Sequence, residues 1–131
     1  MTHRLQPTFG HDQIRVVHDY PASQCALAKV VERDGVPVAE RFELYLGPLE
    51  LANGYHELTD AAEQRVRFER DVATRSVRGE DAPAIDEGLL AALANGMPDC
   101  AGVALGVDRL LMAMLDTRRI ADVVAFDFAR A

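Results

Sequence analysis

The sequence predicts an α+β fold, an antiparallel β-sheet flanked by helices, and three stretches carry that prediction. Residues 38–58 read as a β-hairpin of strand-forming residues, with Gly47-Pro48 at or beside the turn. Residues 59–77 open with a helix cap and continue with helical periodicity. Residues 102–110 form a short apolar run broken by glycines that passes through Asp108-Arg109 into an amphipathic helix. At 131 residues and 49% hydrophobic content, the chain is expected to form one domain over residues 1–131.

Taken in order, residues 1–20 form an irregular lead-in, within which Ile14 to His18 is a plausible short strand stopped by Asp19-Tyr20-Pro21. Ser23 to Val31 reads as a loop or short helix, and Asp34-Gly35 followed by Pro37 marks a turn. After the hairpin, Asp60 is placed to cap a helix, with Glu63 three residues on to return a bond to the cap. Ala62, Val66, Ala73 and Val77 fall on one stripe of that helix, expected to face inward, while Arg65, Arg67, Glu69, Arg70 and Arg75 form a solvated face. Gly79 through Pro83 breaks it, and Asp86 to Asn95 makes a second helix stopped by Gly96. Met97 to Cys100 is a loop, the glycine strand follows, a helix runs from about Val107 to Leu115, and Ile120 to Phe128 closes as a helix end and a strand.

Charge and composition exclude several classes. The balance of 14 basic and 21 acidic residues, a net charge of −7, argues against a self-sufficient nucleic-acid binder, because phosphate contacts need clustered Lys and Arg. No apolar run is long enough to span a membrane and the start Met1 to Leu5 lacks a signal-peptide core, so a cytoplasmic protein is expected. Cys25 and Cys100 are too few for a disulfide framework or zinc site and read as buried free thiols. His3 and His11 read as surface residues and His18 as a strand-end histidine.

The hairpin carries the chemistry. If it turns about Leu46-Gly47, Glu43 sits opposite Glu50. Like charges directly opposite are destabilising unless a cation lies between them, and hard oxygen ligands suit Mg²⁺; the alternative is a pair of carboxylates splayed into solvent. Asn53, Tyr55 and Glu57 have equal parity and would present an amide, a ring and a carboxylate to one ligand, a set suited to an ammonium group. Otherwise Tyr55 is core and Glu57 a surface acid. Strict alternation would place Glu50 on the face opposite Asn53 and Glu57, so one shared site requires a bulge or bend between Glu50 and Gly54. Gly102 and Gly106 allow close backbone approach to a flat ligand, or are ordinary strand-end glycines, and Arg109 either faces a nucleotide or pairs with Asp108.

Residues 41–58 and 102–110, together with most of the chain from Pro21 to Ala131, resemble the C-terminal half of the catalytic domain of class II lysyl-tRNA synthetases. The resemblance is strongest to the synthetase-like ligases that attach β-lysine to elongation factor P. It implies that Glu43 and Glu50 hold magnesium on ATP, that Asn53, Tyr55 and Glu57 contact the amino acid, and that Arg109 packs on the adenine beside Gly106 as the catalytic arginine. Ala104 stands where the synthetases usually have glycine and the ligases have alanine. A methyl group there narrows the pocket, a difference worth about 1–3 kcal/mol of discrimination. His56 and the wording Met97-Pro98-Asp99-Cys100 also look more like the ligases.

The resemblance implies ATP-driven activation of lysine or β-lysine as an adenylate and transfer to a lysine of elongation factor P. The alternatives are a lysyl-tRNA synthetase, with tRNA as acceptor, and a non-catalytic module that binds a nucleotide or partner. No Phe-Arg-x-Glu-like second class II motif occurs in residues 1–20, so the chain is expected to supply only the C-terminal half of an active site. It is then expected to expose an apolar sheet edge and to self-associate as a homo-oligomer.

Overall fold

The computed structural model describes residues 5–128, and His3 lies outside them. Its centre is a five-stranded antiparallel sheet built from β1 (Ile14–Pro21), β2 (Val30–Arg33), β3 (Val36–Leu46), β4 (Leu49–His56) and β5 (Ala101–Leu105). The order is β1-β3-β4-β5, with β2 pairing on the start of β3, across β3 from the end of β1 and on the edge that β4 takes further along. Helices α1 (Ala61–Val77), α2 (Glu87–Ala94) and α3 (Val107–Met114) complete the α+β architecture.

Two tight turns organise the sheet. Asp34 and Gly35 both take positive φ, +52° and +76°, the geometry a two-residue hairpin favours, and they join β2 to β3. The strand β2 itself was not expected from the sequence. Gly47 takes φ +53° at the first turn position between β3 and β4, so Leu46 faces Leu49. The turn therefore centres on Gly47-Pro48 rather than Leu46-Gly47, and every cross-strand pair moves accordingly. Glu43 faces Asn53, and Glu50 faces Tyr45; the expected direct opposition of Glu43 and Glu50 is not formed.

The strand β1 runs past the expected stop at Asp19. Asp19 adopts φ +55° where the register shifts between His18 and Tyr20, so the chain bends there and pairing resumes through Pro21. Tyr20, Cys25, Ala28 and Ala39 form a small buried cluster beneath the bend, with Val17 and Tyr55 packed against it.

The helix caps follow the sequence closely, with one omission. Asp60 accepts from the amides of Ala62 and Glu63, and Asp86 accepts from Leu89. The return bond from Glu63 is not made, because its carboxylate is taken by Arg67 on the next turn. Gly96 ends α2 with φ +107°.

The orientation of α1 differs from expectation. Val66 and Val77 are 61% and 89% exposed, whereas Gln64 is buried. The polar edge docks because Arg67 donates to the carbonyls of Ala26 and Ala28, tying the helix to the segment ahead of β2 and leaving the Ala62-Val66-Ala73-Val77 stripe outside. The segment 120–128 also departs from expectation. A short 3₁₀ turn at Ile120–Asp122 packs beside α3 instead of on the sheet, and no strand follows among the described residues. Phe126 and Phe128 are exposed. The strand β5 pairs with β4 alone, and its five residues are exposed, as expected of an uncovered sheet edge.

Both cysteines are free; Cys25 is buried but Cys100, at the loop end before β5, is only half-buried. No helix among the described residues is long and apolar enough to cross a membrane.

Candidate active site

A single inserted residue decides which side chains share a face. Leu44 pairs with Ala52 while Tyr45 pairs with Glu50, so Leu51 is extra and β4 bulges there. Directly paired residues project from the same side of a sheet. The bulge therefore brings Glu50, with Tyr45, onto the face that carries the Glu43–Asn53 and Arg41–Tyr55 pairs. The strand β5 extends both rows, since Asn53 pairs with Ala104 and Tyr55 with Gly102. The departure from alternation lies between Glu50 and Gly54, as the sequence required.

Gly54 has a different role from the one expected. A Cβ there would meet the Phe42 ring at 2.5 Å and the Gly102 carbonyl at 2.7 Å, so glycine lets the ring lie across the strand.

Glu43 is the most constrained carboxylate of the face. One of its oxygens pairs with Arg41 and the other accepts from the Tyr45 hydroxyl. Burial pushes Glu43 upward, but hydrogen bonding and the Arg41 charge outweigh it and hold the carboxyl below the usual range. Burial and the same carboxylate push Tyr45 up to about 12. Tyr20 is raised as well, by burial first; its hydroxyl approaches Glu43 but makes no hydrogen bond of ordinary geometry.

Arg41 organises this cluster, and sequence reading missed it. Its guanidinium lies 4.2 Å from the Tyr20 ring centroid and 5.6 Å from that of Tyr55, while Nη1 donates to the Gln24 carbonyl at 2.9 Å. The signal was present in the odd-numbered run Arg41, Glu43, Tyr45, which alternation places on one side of β3.

The bulge also anchors the start of α3. The Leu51 carbonyl accepts from the Gly106 amide at 2.9 Å, and the Glu50 carbonyl accepts from Arg109 Nη1 at 3.0 Å. The Glu50 carboxylate lies 3.9 Å from the same nitrogen, so Arg109 turns to Glu50 rather than Asp108. Its side chain is 52% exposed, and its Nε and Nη2 have no partner among the described residues. Beside it, Asn53, Gly54, Tyr55, Glu57, Gly102, Val103 and Ala104 line an open cleft of about 280 Å³. Glu57 lies past the end of β4, and a side chain at Gly102 would meet its carboxylate at 3.1 Å.

The donor set can be tested for magnesium and ATP. Glu43 and Glu50 are hard oxygen donors on one face, and no cluster of three or more His, Cys, Asp or Glu side chains occurs among the described residues. Mg²⁺ commonly takes one or two carboxylates and completes its shell with water and phosphate, so this sparse set fits it. The free edge of the Arg109 guanidinium is a planar cation of the type that stacks on bases and pairs with phosphates.

The antiparallel sheet whose edge strand β5 passes through Gly106 into the helix bearing Arg109 is the arrangement that the resemblance to class II synthetases implies. The family model for class II tRNA synthetases (D, K and N) matches residues 3–130, and the chain belongs to this family. Among curated relatives, it is 52% identical over 130 residues to the elongation factor P–(R)-β-lysine ligase of Pectobacterium atrosepticum, a match covering 99% of this chain and 40% of the relative. The ligase of the same name from Mannheimia succiniciproducens is 57% identical over 122 residues, 93% of this chain and 38% of the relative. That of Salmonella gallinarum is 50% identical over 131 residues, 100% and 40%. The chain spans about 40% of the length of these relatives.

Proposed function

We propose that this chain supplies one side of the active site of a ligase that uses ATP and Mg²⁺ to activate lysine or β-lysine and transfers it to a lysine of elongation factor P. The observation that carries the reading is the Leu51 bulge, which gathers Glu43, Glu50, Asn53 and Tyr55 on one face beside Arg109. The names of relatives at 50–57% identity point the same way.

The reaction joins the amino-acid carboxylate to the α-phosphorus of ATP, expels pyrophosphate, and passes the acyl group to the acceptor amine with release of AMP. Such chemistry depends on positioning and charge neutralisation more than on a general base. Glu57 pairs with the substrate's side-chain ammonium, the Tyr55 ring adds cation–π attraction, and Asn53 orients the remainder. Ala104, directly beside Asn53 on β5, narrows the cleft. Gly106 lets the nucleotide approach the backbone, and Arg109 stacks on the base and neutralises phosphate charge. Glu43 and Glu50 hold Mg²⁺, which neutralises phosphate charge when bound. Arg41 and Tyr45 keep Glu43 ionised and fixed for that task, so little of its ordering remains to be done on binding.

Calorimetric titration with ATP and Mg²⁺, with and without lysine or β-lysine, tests the reading. Magnesium-dependent binding that tightens with the amino acid is expected. A folded sample that takes up neither ligand contradicts a formed half-site.

A further inference from the structure

On the other side of β3 and β4, three charged side chains from three segments converge on His56, and a fourth backs one of them. Its Nδ1 faces Glu40 of β3, and its Nε2 lies 2.8 Å from Asp99 in the loop ahead of β5. Lys29, from the segment ahead of β2, pairs with Asp99 and lies 3.2 Å from the same ring nitrogen. Arg33 of β2 reaches the far oxygen of Glu40 at 3.2 Å. The backbone joins the same segments: Lys29 donates its amide to the His56 carbonyl at 2.8 Å, and Glu40 donates to the Lys29 carbonyl at 2.9 Å.

Both ring nitrogens face carboxylate oxygens, and a neutral imidazole has only one N–H to give. The arrangement is complete only with an imidazolium that donates both ways. If the ring loses a proton, one of the two carboxylates loses its donor. The two sequence features that did not belong to the nucleotide face, His56 and the Met97-Pro98-Asp99-Cys100 wording, are thus in direct contact with each other.

We propose that His56 is a positioning residue that clamps the 97–100 loop to the sheet through Asp99 and thereby sets where β5, the wall bearing Gly102 and Ala104, lies against β4. The idea rests on the reading of that cleft as the amino-acid site, since the clamp matters to function only through it. Cys100, next to Asp99, already shares a backbone bond with Glu57 at 3.0 Å, so the loop connects directly to the cleft. The electrostatics agree. Hydrogen bonding to Asp99 and then Glu40 raises His56 above its ordinary 6.5, while bonds from Lys29 and His56 lower Asp99 and a bond from His56 lowers Glu40. A histidine raised on folding contributes stability that is fully present below about 6.5 and lost as pH rises through the folded value. The two carboxylates contribute above their ordinary values near 3.8 and 4.5, so the clamp is at full strength between about 4.5 and 6.5 and weakens from there as pH rises through the folded value of His56.

The test is NMR on the ligand-free chain, comparing wild type with His56→Gln and Asp99→Asn. Ring-nitrogen shifts give the protonation state of His56, and amide-exchange protection factors, corrected for intrinsic pH dependence, report on residues 101–105. We expect a doubly protonated ring at pH 6.5 and protection of 101–105 that falls at least tenfold as His56 titrates. In His56→Gln the protection should be low and flat with pH, and Asp99→Asn should lower the ring's titration point. A ring titrating as a free histidine, or protection equal in all three chains, overturns the clamp. Lysine affinity measured in the presence of ATP and Mg²⁺ then separates the two ideas. A wild type that binds no lysine rejects the reading of the cleft but leaves the protection result to judge the clamp. Lost protection with unchanged lysine affinity rejects the link to the cleft.

Discussion

Arg41 and Arg65 each pair with a glutamate, and the contrast between them shows where charge matters in this molecule. Arg41 and Glu43 lie on the hairpin with 13% of each side chain exposed, the guanidinium stacked beside two tyrosine rings. Arg65 and Glu87 join α1 to α2 with 43% and 66% exposed. The helix pair is screened by water, and each partner is solvated when the other is removed. The hairpin pair has little water to return to, so removing one partner strands the other.

The largest effect should follow from Arg41→Met, which keeps the volume but leaves Glu43 buried without its cation. We expect a loss of about 3 kcal/mol in urea unfolding. Adding Glu43→Gln should recover most of it. A double variant no better than the single would show that Arg41 acts through its tyrosine stacking and its bond to the Gln24 carbonyl rather than through Glu43.

Gly54→Ala comes next, because the new Cβ must displace the Phe42 ring and meets the Gly102 carbonyl, which cannot easily move. Overpacking of this kind costs about 1–3 kcal/mol, and it should also disturb the β4–β5 pairing seen by amide exchange.

The pH dependence of Glu43 is smaller in scope. A carboxyl lowered on folding contributes stability that is present above its ordinary value near 4.5 and lost as pH falls through the folded value. Wild-type stability should therefore fall through that acid range more steeply than that of Glu43→Gln. Parallel curves would mean that Glu43 titrates alike in both states. The smallest effect belongs to Arg65→Ala, for which no measurable shift of the urea midpoint is expected; a clear loss would show that the helix pair is less screened than its exposure implies.

Much of the fold was legible in the sequence because it is written in short-range chemistry. Asp34-Gly35, Gly47-Pro48, the caps at Asp60 and Asp86 and the stop at Gly96 each act within a few residues. The hairpin register was read two to three positions off because it depends on both the turn centre and the Leu51 insertion. The need for a bulge was nevertheless visible, since Glu50 and Asn53 could not otherwise share a face. The outward stripe of α1 was not legible, because Arg67 selects the docked edge through the carbonyls of Ala26 and Ala28, some 40 positions away along the chain. The same holds for the contact between His56 and Asp99, 43 positions apart.

The central claim is that the Leu51 bulge assembles one nucleotide-and-metal face, and Mn²⁺ substituted for Mg²⁺ tests it most directly. In a titration of the isotope-labelled chain with Mn²⁺ and ATP, paramagnetic broadening should centre on the backbone signals of Glu43, Glu50 and Asn53 and weaken towards Glu40 and His56 on the other face. Broadening centred elsewhere, or unchanged by Glu50→Gln, would contradict it.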